Sequence, residues 1–248
     1  MSKRNFKIYR GDDERGELVN YKCEVTEGMV VLDAIHKIQS NQANDLACRW
    51  NCKAGKCGSC GVEINGKPKL ACMTRMNEFE EEQTVVITPL KSFPVIKDIV
   101  SDVSWNYKQN EKIIPFSPSK KDKEKDFVMM QKDIDRVQHF RKCIECYLCQ
   151  NVCHVIRDND TKEDFVGPRF MTRLASLEMH PYDRADRIPD IKNEHGSGMC
   201  NITRCCTEVC PEEIQITDDA IIPLKERVVD RFYDPITILF RKIFGKKK

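Results

Sequence analysis

The sequence predicts an α+β protein of two domains, a small unit of strands and one helix followed by a mostly helical unit. Three observations carry that prediction. Alternating apolar runs and a hairpin dipeptide fill the first 90 residues, and strand signals vanish from Phe127 onward. The 248 residues exceed one domain of ordinary size, at roughly 100 to 200 residues each. Fourteen cysteines fall largely into one group in the first part and two in the second.

Phe6-Lys-Ile-Tyr-Arg10 and Tyr21-Lys-Cys-Glu-Val25 read as two strands joined through the polar turn Gly11 to Gly16. Over Met29 to Gln39, the residues Val31, Ile35 and Ile38 recur at i, i+4, i+7, so one helix face packs on that hairpin. Gly61 to Ile64 and Lys69 to Cys72 flank Asn65-Gly66, a pair that takes the positive φ angles of a tight turn. Thr84 to Thr88 supplies a last strand. Pro89, Pro94, Pro115 and Pro118 then change the texture, and Ser117 to Asp126 reads as a charged surface connector. Phe127 to Arg141 and Phe170 to Met179 suit helices, the second following Gly167-Pro168-Arg169. Met129-Met130 and the apolar residues of 170–179 are expected in the core. Phe232 to Phe244, ahead of Lys246-Lys247-Lys248, suits either an amphipathic surface helix or a terminal helix docked on its own domain or a partner. The domains are set at 1–106 and 107–248.

With 40% hydrophobic and 32% charged residues the chain is globular and not disordered. A net charge of +2 provides no global field for nucleic acid, and no nucleic-acid partner is expected. No run approaches the roughly 18 apolar residues of a membrane span, and Met1 to Arg10 lacks the apolar core of a secretory signal. The chain is therefore expected in the cytoplasm or on that side of a membrane. There the thiols stay reduced, so the cysteines point to metal or redox chemistry before disulfides.

The first group is Cys52-Lys-Ala-Gly-Lys-Cys57-Gly-Ser-Cys60 with Cys72 beyond it, the plant-type spacing of a 2Fe-2S centre. Gly55, Gly58 and Gly61 let the backbone bend close and aim amides at sulfur, which stabilises an anionic cluster. A zinc knuckle also takes four thiolates, but its ligands usually come as two short hooks, not three plus one. The second group, Cys143-Ile-Glu-Cys146-Tyr-Leu-Cys149-Gln-Asn-Val-Cys153, has the run whose first three thiolates seat one cubane and whose fourth reaches another cluster. Its partner run is Cys200-Asn-Ile-Thr203-Arg-Cys205-Cys206-Thr-Glu-Val-Cys210-Pro211, where Thr203 stands in a cysteine position. The crossing rule gives Cys143, Cys146, Cys149 and Cys210 to a 4Fe-4S cluster and leaves Cys153, Cys200 and Cys206, three thiolates that suit a 3Fe-4S cluster. Cys23, Cys48 and Cys205 are left over; Cys205 as a fourth ligand would make the last centre a second cubane. No G-x-G-x-x-G or G-x-x-x-x-G-K-[ST] motif is present, so this chain alone is not expected to catalyse a substrate reaction.

These cysteine motifs, together with Arg49-Trp-Asn-Cys52, Asn65-Gly-Lys-Pro-Lys-Leu-Ala-Cys72, Cys206-Thr-Glu-Val-Cys210-Pro211 and Pro89-Leu-Lys-Ser-Phe-Pro-Val95-Ile-Lys-Asp98, resemble the iron-sulfur subunit of succinate dehydrogenase and fumarate reductase. The resemblance spans nearly the whole chain. It implies a plant-type ferredoxin-like (β-grasp) first domain and an all-α, bacterial-ferredoxin-like second domain. It also implies docking between a flavoprotein carrying FAD and membrane anchor subunits, at the cytoplasmic face of the inner membrane. Electrons would pass between FAD and a quinone through 2Fe-2S, 4Fe-4S and 3Fe-4S, with menaquinone a candidate quinone. The family commonly has Pro after the fourth cysteine of the middle run and a quinone-binding Trp shortly after; here His154 and Asp158 stand there. His154, Asn201 and Thr203 are the candidate quinone-side residues. Two other readings remain beside this one. In the first, the same wire serves another flavoprotein, a thiol-linked fumarate reductase or a hydroxyacid dehydrogenase. Soluble thiol-linked members carry further cysteine-rich repeats, which the sequence up to Lys248 lacks. The second is a zinc-stabilised adaptor.

Overall fold

Residues 2–123, 126–158 and 162–244 are described by the computed structural model; Glu124 and Lys125 of the expected connector and the basic triplet Lys246 to Lys248 lie outside them. The chain divides into two units. The first comprises Met1–Trp105, Ile144–Val152 and Val209–Pro211; the second comprises Asn106–Cys143, Cys153–Glu208 and Glu212–Lys248.

In the first unit, β1 (Ser2–Gly11) and β2 (Gly16–Val25) pair antiparallel, Ser2 opposite Val25 and Gly11 opposite Gly16. Period-two alternation turns Phe6 and Ile8 from β1, and Tyr21, Cys23 and Val25 from β2, into the core. Helix α1 (Val31–Asn41) buries Val31, Leu32, Ala34, Ile35 and Ile38, an i, i+3, i+4, i+7 stripe. β3 (Gly61–Ile64) and β4 (Lys67–Leu70) turn on Asn65 (φ 49°) and Gly66 (φ 77°), the left-handed pair a tight hairpin needs. β5 (Val85–Thr88) inserts parallel to β1 and antiparallel to β3, giving the order β2-β1-β5-β3-β4. The sequence pattern extends β4 through Cys72, but the strand stops at Leu70 because the chain turns there, Met73 N and Thr74 N both donating to Leu70 O, at 3.0 and 3.1 Å. A small hairpin, β6 (Val95–Lys97) and β7 (Val100–Ser101), follows.

Beyond β7 no strand occurs among the described residues. The helices are α2 (Ser104–Glu111), α3 (Lys120–Lys123), α4 (Gln131–Val137), α5 (Leu148–Val152), α6 (His154–Arg157), α7 (Pro168–Glu178), α8 (Ile188–Asn193), α9 (Cys205–Glu208), α10 (Ile222–Phe232) and α11 (Pro235–Phe244), with a π-helical segment Ile216–Ile221 before α10. In the second unit α7 packs Phe170, Met171, Leu174 and Ala175 against the π segment and α10, where Ile216, Ala220, Ile221 and Leu224 are buried.

Three expectations are corrected. The helix expected over Phe127 to Arg141 begins at Gln131 and tightens into a 3-10 turn over Gln138–Lys142; Phe127 and Val128 are exposed. Met130 is exposed and Met129 half-buried, so that pair is not core, whereas 170–179 is. The terminal stretch is two helices and not one. Phe232 closes α10, and Asp234 then caps α11, accepting from Thr237 Oγ1 at 2.6 Å and Ile236 N at 2.9 Å, which lowers its carboxyl pKa. Ile236, Leu239 and Ile243 on α11 are exposed in this chain.

Candidate metal centres

The loop from Cys52 to Cys60 is shaped by three left-handed residues, Lys53 (φ 55°), Gly55 (φ 67°) and Gly58 (φ 69°). Each reverses the local backbone direction, which draws successive thiols and amides toward one point. The amides of Ala54 and Lys56 both donate to Cys52 Sγ at 3.3 Å, and Cys72 N donates to Cys60 Sγ at 3.5 Å. Gly58 leaves no room for a side chain, and one on Gly55 would have to displace Met73. A Cβ on Gly55 would stand 2.8 Å from Met73 Sδ, and one on Gly58 2.7 Å from Cys146 Cα. Cys72 is placed by the helix it precedes in space: the unpaired first amides of α1 find partners in that turn, Val31 N donating to Thr74 O and Leu32 N to Ala71 O. Cys52 is exposed, Cys57 half-buried, Cys60 and Cys72 buried.

Electrostatics tie the four together. Burial raises the Cys57 thiol, but hydrogen bonds from Ser59 and Cys52 outweigh it and bring the group down to about 6. Burial pushes Cys60 up to about 12, against a hydrogen bond from the Cys72 amide. Four thiols joined in this way, with amides already aimed at sulfur, are the donor set a 2Fe-2S centre requires.

Asp98 holds the approach to this loop. It is 2% exposed, sits at φ 52°, and accepts from Gly11 N at 3.0 Å, Ala47 N at 2.7 Å and Arg10 Nε at 3.1 Å. Replacing Asp98 with alanine strands those donors, a cost of about 1–3 kcal/mol. Urea unfolding of the iron-loaded protein is expected to show that loss; a midpoint unchanged from wild type would contradict it.

The second and third cysteine runs share one backbone trace. In 143–149 the left-handed residues are Glu145 (φ 54°) and Tyr147 (φ 59°), and α5 starts at Leu148. In 200–206 they are Ile202 (φ 63°) and Arg204 (φ 64°), and α9 starts at Cys205. Left-handed angles at bulky residues cost about 1–3 kcal/mol each, so their recurrence at matching places marks a conformation held for a purpose. Aligned in register, Cys200 matches Cys143, Thr203 matches Cys146, Cys206 matches Cys149 and Cys205 matches Leu148. The incomplete position is therefore Thr203, and Cys205 stands where its counterpart run has an apolar residue.

Within the second unit the thiols of Cys153 and Cys206 each feel those of Cys200 and Cys205. Burial raises the Cys153 thiol to about 12, and the neighbouring thiols of Cys205 and Cys200 add to the effect. Burial raises Cys206 to about 11, opposed by a hydrogen bond with Thr217. Cys146, Cys149 and Cys210 belong to the first unit and Cys143 to the second. Of the remaining cysteines, Cys23 is buried on β2, and burial raises Cys48 to about 11, as for small apolar fillers.

The candidate quinone-side residues are dispersed in character. His154 opens α6 and is half-exposed; Asn201 and Thr203 lie on an exposed loop, Thr203 Oγ1 3.4 Å from Cys205 Sγ. Two residues near the third run escaped sequence reasoning. Lys225 of α10 donates to Cys200 O at 2.7 Å and Ser197 O at 3.2 Å, pinning the start of the run. Thr217 Oγ1 lies 3.5 Å from Cys206 Sγ and is held by Thr207 Oγ1 at 3.1 Å. Nothing in either residue's local pattern points to a cysteine so far along the chain.

Among the described residues, no three His, Cys, Asp or Glu side chains gather as a single metal ion would require, and no helix is long and apolar enough to cross a membrane.

Comparison with known proteins adds to this geometry. Residues 5–108 match the model of a 2Fe-2S iron-sulfur cluster binding domain, and residues 139–214 that of a 4Fe-4S dicluster domain. The expected ferredoxin-type sheet domain and helical ferredoxin-like domain are thus both present. A chain of the Mycobacterium smegmatis Sdh1 complex in the apo form is 56% identical, with TM-score 0.92, covering 95% of this chain and 99% of that one. The fumarate reductase iron-sulfur subunit of Mycobacterium tuberculosis is 30% identical over 78% of this chain and 79% of its own length. One subunit of the fumarate reductase (CoM/CoB) of Methanothermobacter marburgensis is 33% identical over 89% of this chain. The chain spans less than half the length of several such relatives, 43% of that archaeal subunit and 42% of an uncharacterized iron-sulfur protein of Methanococcus maripaludis.

Proposed function

Because the chain belongs to the family of iron-sulfur subunits of succinate dehydrogenase and fumarate reductase, we propose that it relays electrons between FAD of a partner flavoprotein and a quinone held with membrane anchor subunits. The observation that carries this reading is the shared backbone of 143–149 and 200–206, with Thr203 in the place of Cys146. In this reading the first of those runs belongs to a complete cubane site and the second to one that lacks a corner, preceded in the chain by a third site of another type.

In this reading Cys52, Cys57, Cys60 and Cys72 hold 2Fe-2S, Cys143, Cys146, Cys149 and Cys210 hold 4Fe-4S, and Cys153, Cys200 and Cys206 hold 3Fe-4S. The two domains divide at 1–106 and 107–248. Bound clusters supply reversible one-electron acceptors of graded potential. The chain's own residues do the rest. Amides of Ala54 and Lys56 offset negative charge at Cys52, burial of Cys60, Cys153 and Cys206 excludes water, and loading displaces the protons those raised thiols hold. Exposed Cys52, flanked by Trp50 (47% exposed) and Met73 (54% exposed), is the surface that would face the flavoprotein. His154, Asn201 and Thr203 would offer hydrogen bonds on the quinone side. The complex would sit at the cytoplasmic face of the membrane.

The test is low-temperature EPR of the anaerobically purified complex, as isolated and after dithionite. A near-isotropic signal in the oxidised sample and a rhombic signal after reduction are expected. Zinc without acid-labile sulfide would overturn the reading in favour of an adaptor. Similarity to the archaeal CoM/CoB fumarate reductase supports a second reading, the same wire serving a thiol-linked enzyme. Reduction of the clusters by succinate in the complex supports the first; reduction by thiols alone supports the second.

A further inference from the structure

The first unit contains a buried polar chain that the relay reading does not use. Glu63, on β3, is 0% exposed; Asn151, on α5 between Cys149 and Cys153, is also 0% exposed. Asn151 Nδ2 donates to Glu63 Oε1 at 2.8 Å, while Ser92 N donates to Asn151 Oδ1 at 3.0 Å. Both ends of the amide are thereby used, and the network itself decides which end is nitrogen. Ser92 Oγ donates to the Asn151 carbonyl at 3.1 Å, satisfying a group left open at the helix end. Lys91 Nζ stands 3.6 Å from Glu63 Oε2. Burying a carboxylate and an amide in a small sheet is costlier than filling the space with apolar side chains. What such a pair gives in return is register.

Register matters here because the cysteine segments meet backbone to backbone. A Cβ on Gly58, between Cys57 and Cys60, would lie 2.7 Å from Cys146 Cα and 2.9 Å from Ile144 O, and one on Gly61 3.2 Å from Leu148 Cδ2. The loop of the first site and the segment bearing Cys146 and Cys149 are thus in contact, and at Gly58 the contact is with backbone, with no side chain there to absorb a slip. We infer that Glu63 and Asn151 form a positioning strut that locks α5 to β3 and so sets the electronic coupling between the 2Fe-2S and 4Fe-4S sites. This inference rests on the relay reading above. Both residues act through the segments they hold and not on the reacting atoms.

The test uses the intact anaerobic complex, reduced with dithionite. The readout is relaxation of the 2Fe-2S EPR signal, which a paramagnetic neighbour quickens according to its separation, alongside iron and sulfide content. Asn151→Asp sets two carboxylates against each other and is expected to lose the fast relaxation or the neighbouring cluster. Combining it with Glu63→Gln rebuilds the hydrogen bond with donor and acceptor exchanged, and is expected to restore wild-type relaxation, a non-additive rescue. Wild-type relaxation in Asn151→Asp, or a double variant no better than the single one, would overturn the strut. Should the unmodified complex show no interacting pair of clusters, the relay reading itself fails, an outcome distinct from unaltered coupling in the variants.

Discussion

Replacing Arg187 with methionine is expected to cost about 3–5 kcal/mol of stability, the range for breaking a buried ion pair from one side. Arg187 is 1% exposed, and each of its three side-chain nitrogens has an acceptor. Nη2 reaches Asp183 Oδ2 at 2.9 Å and Pro115 O at 2.7 Å, Nε donates to Ile114 O at 2.8 Å, and Nη1 approaches Glu178 Oε1 at 3.4 Å. Glu178 keeps Arg227, 3.6 Å from its other oxygen, but the side chain of Asp183 is 2% exposed and would be left as a buried charge. The carbonyls of Ile114 and Pro115 would lose their partner as well. Methionine matches much of the volume and replaces none of the bonds, so the loss reports electrostatics and not a cavity. Lysine at 187 keeps the charge without the planar fork and should recover only part of it. Thermal unfolding of the iron-loaded protein should show a drop of about 10 °C for methionine, at roughly 2–4 °C per kcal/mol in a chain of this size. A shift within a degree or two would mean that the network carries no net stability.

Arg187 also marks where sequence reading stops. The paired strands, α1, the Asn65-Gly66 turn and α7 are legible because alternation, helical spacing and positive-φ dipeptides act over a few residues. The eleven candidate cluster ligands come from spacing alone. What escapes depends on distant neighbours. Arg187, Asn151, Glu63 and Asp98 are polar and carry no structural role in the sequence pattern, because burial of a polar group is decided by partners 50 to 90 positions away. The four- and five-residue helices α5, α6 and α9 are too short to show a period. Val128 and Met130 have core chemistry but are exposed, since helix α4 begins only after them. The left-handed angles at Glu145, Tyr147, Ile202 and Arg204 are carried by residues with no preference for them, so no local signal announces them.

Those angles lead to the second large expectation, at Thr203. Because Ile202 and Arg204 repeat the geometry of Glu145 and Tyr147, a side chain at 203 leaves the backbone as Cys146 does. Threonine and cysteine are close in size, and Thr203 is exposed, so the change Thr203→Cys carries little packing cost. It supplies the fourth thiolate, and the third centre is expected to take up a further iron and become a cubane. In EPR the near-isotropic signal of the oxidised complex should disappear, and a second cubane-type signal should arise on strong reduction. Cys205 provides the control. Matched in register to Leu148, an apolar position of the counterpart run, it starts α9 with its Sγ 3.4 Å from Thr203 Oγ1. Cys205→Ser should therefore leave the wild-type signal in place and leave the Thr203→Cys conversion intact. If instead the wild-type oxidised complex is silent and Cys205→Ser creates the near-isotropic signal, Cys205 is the fourth ligand. The register of the two runs would then describe the backbone without deciding the ligands.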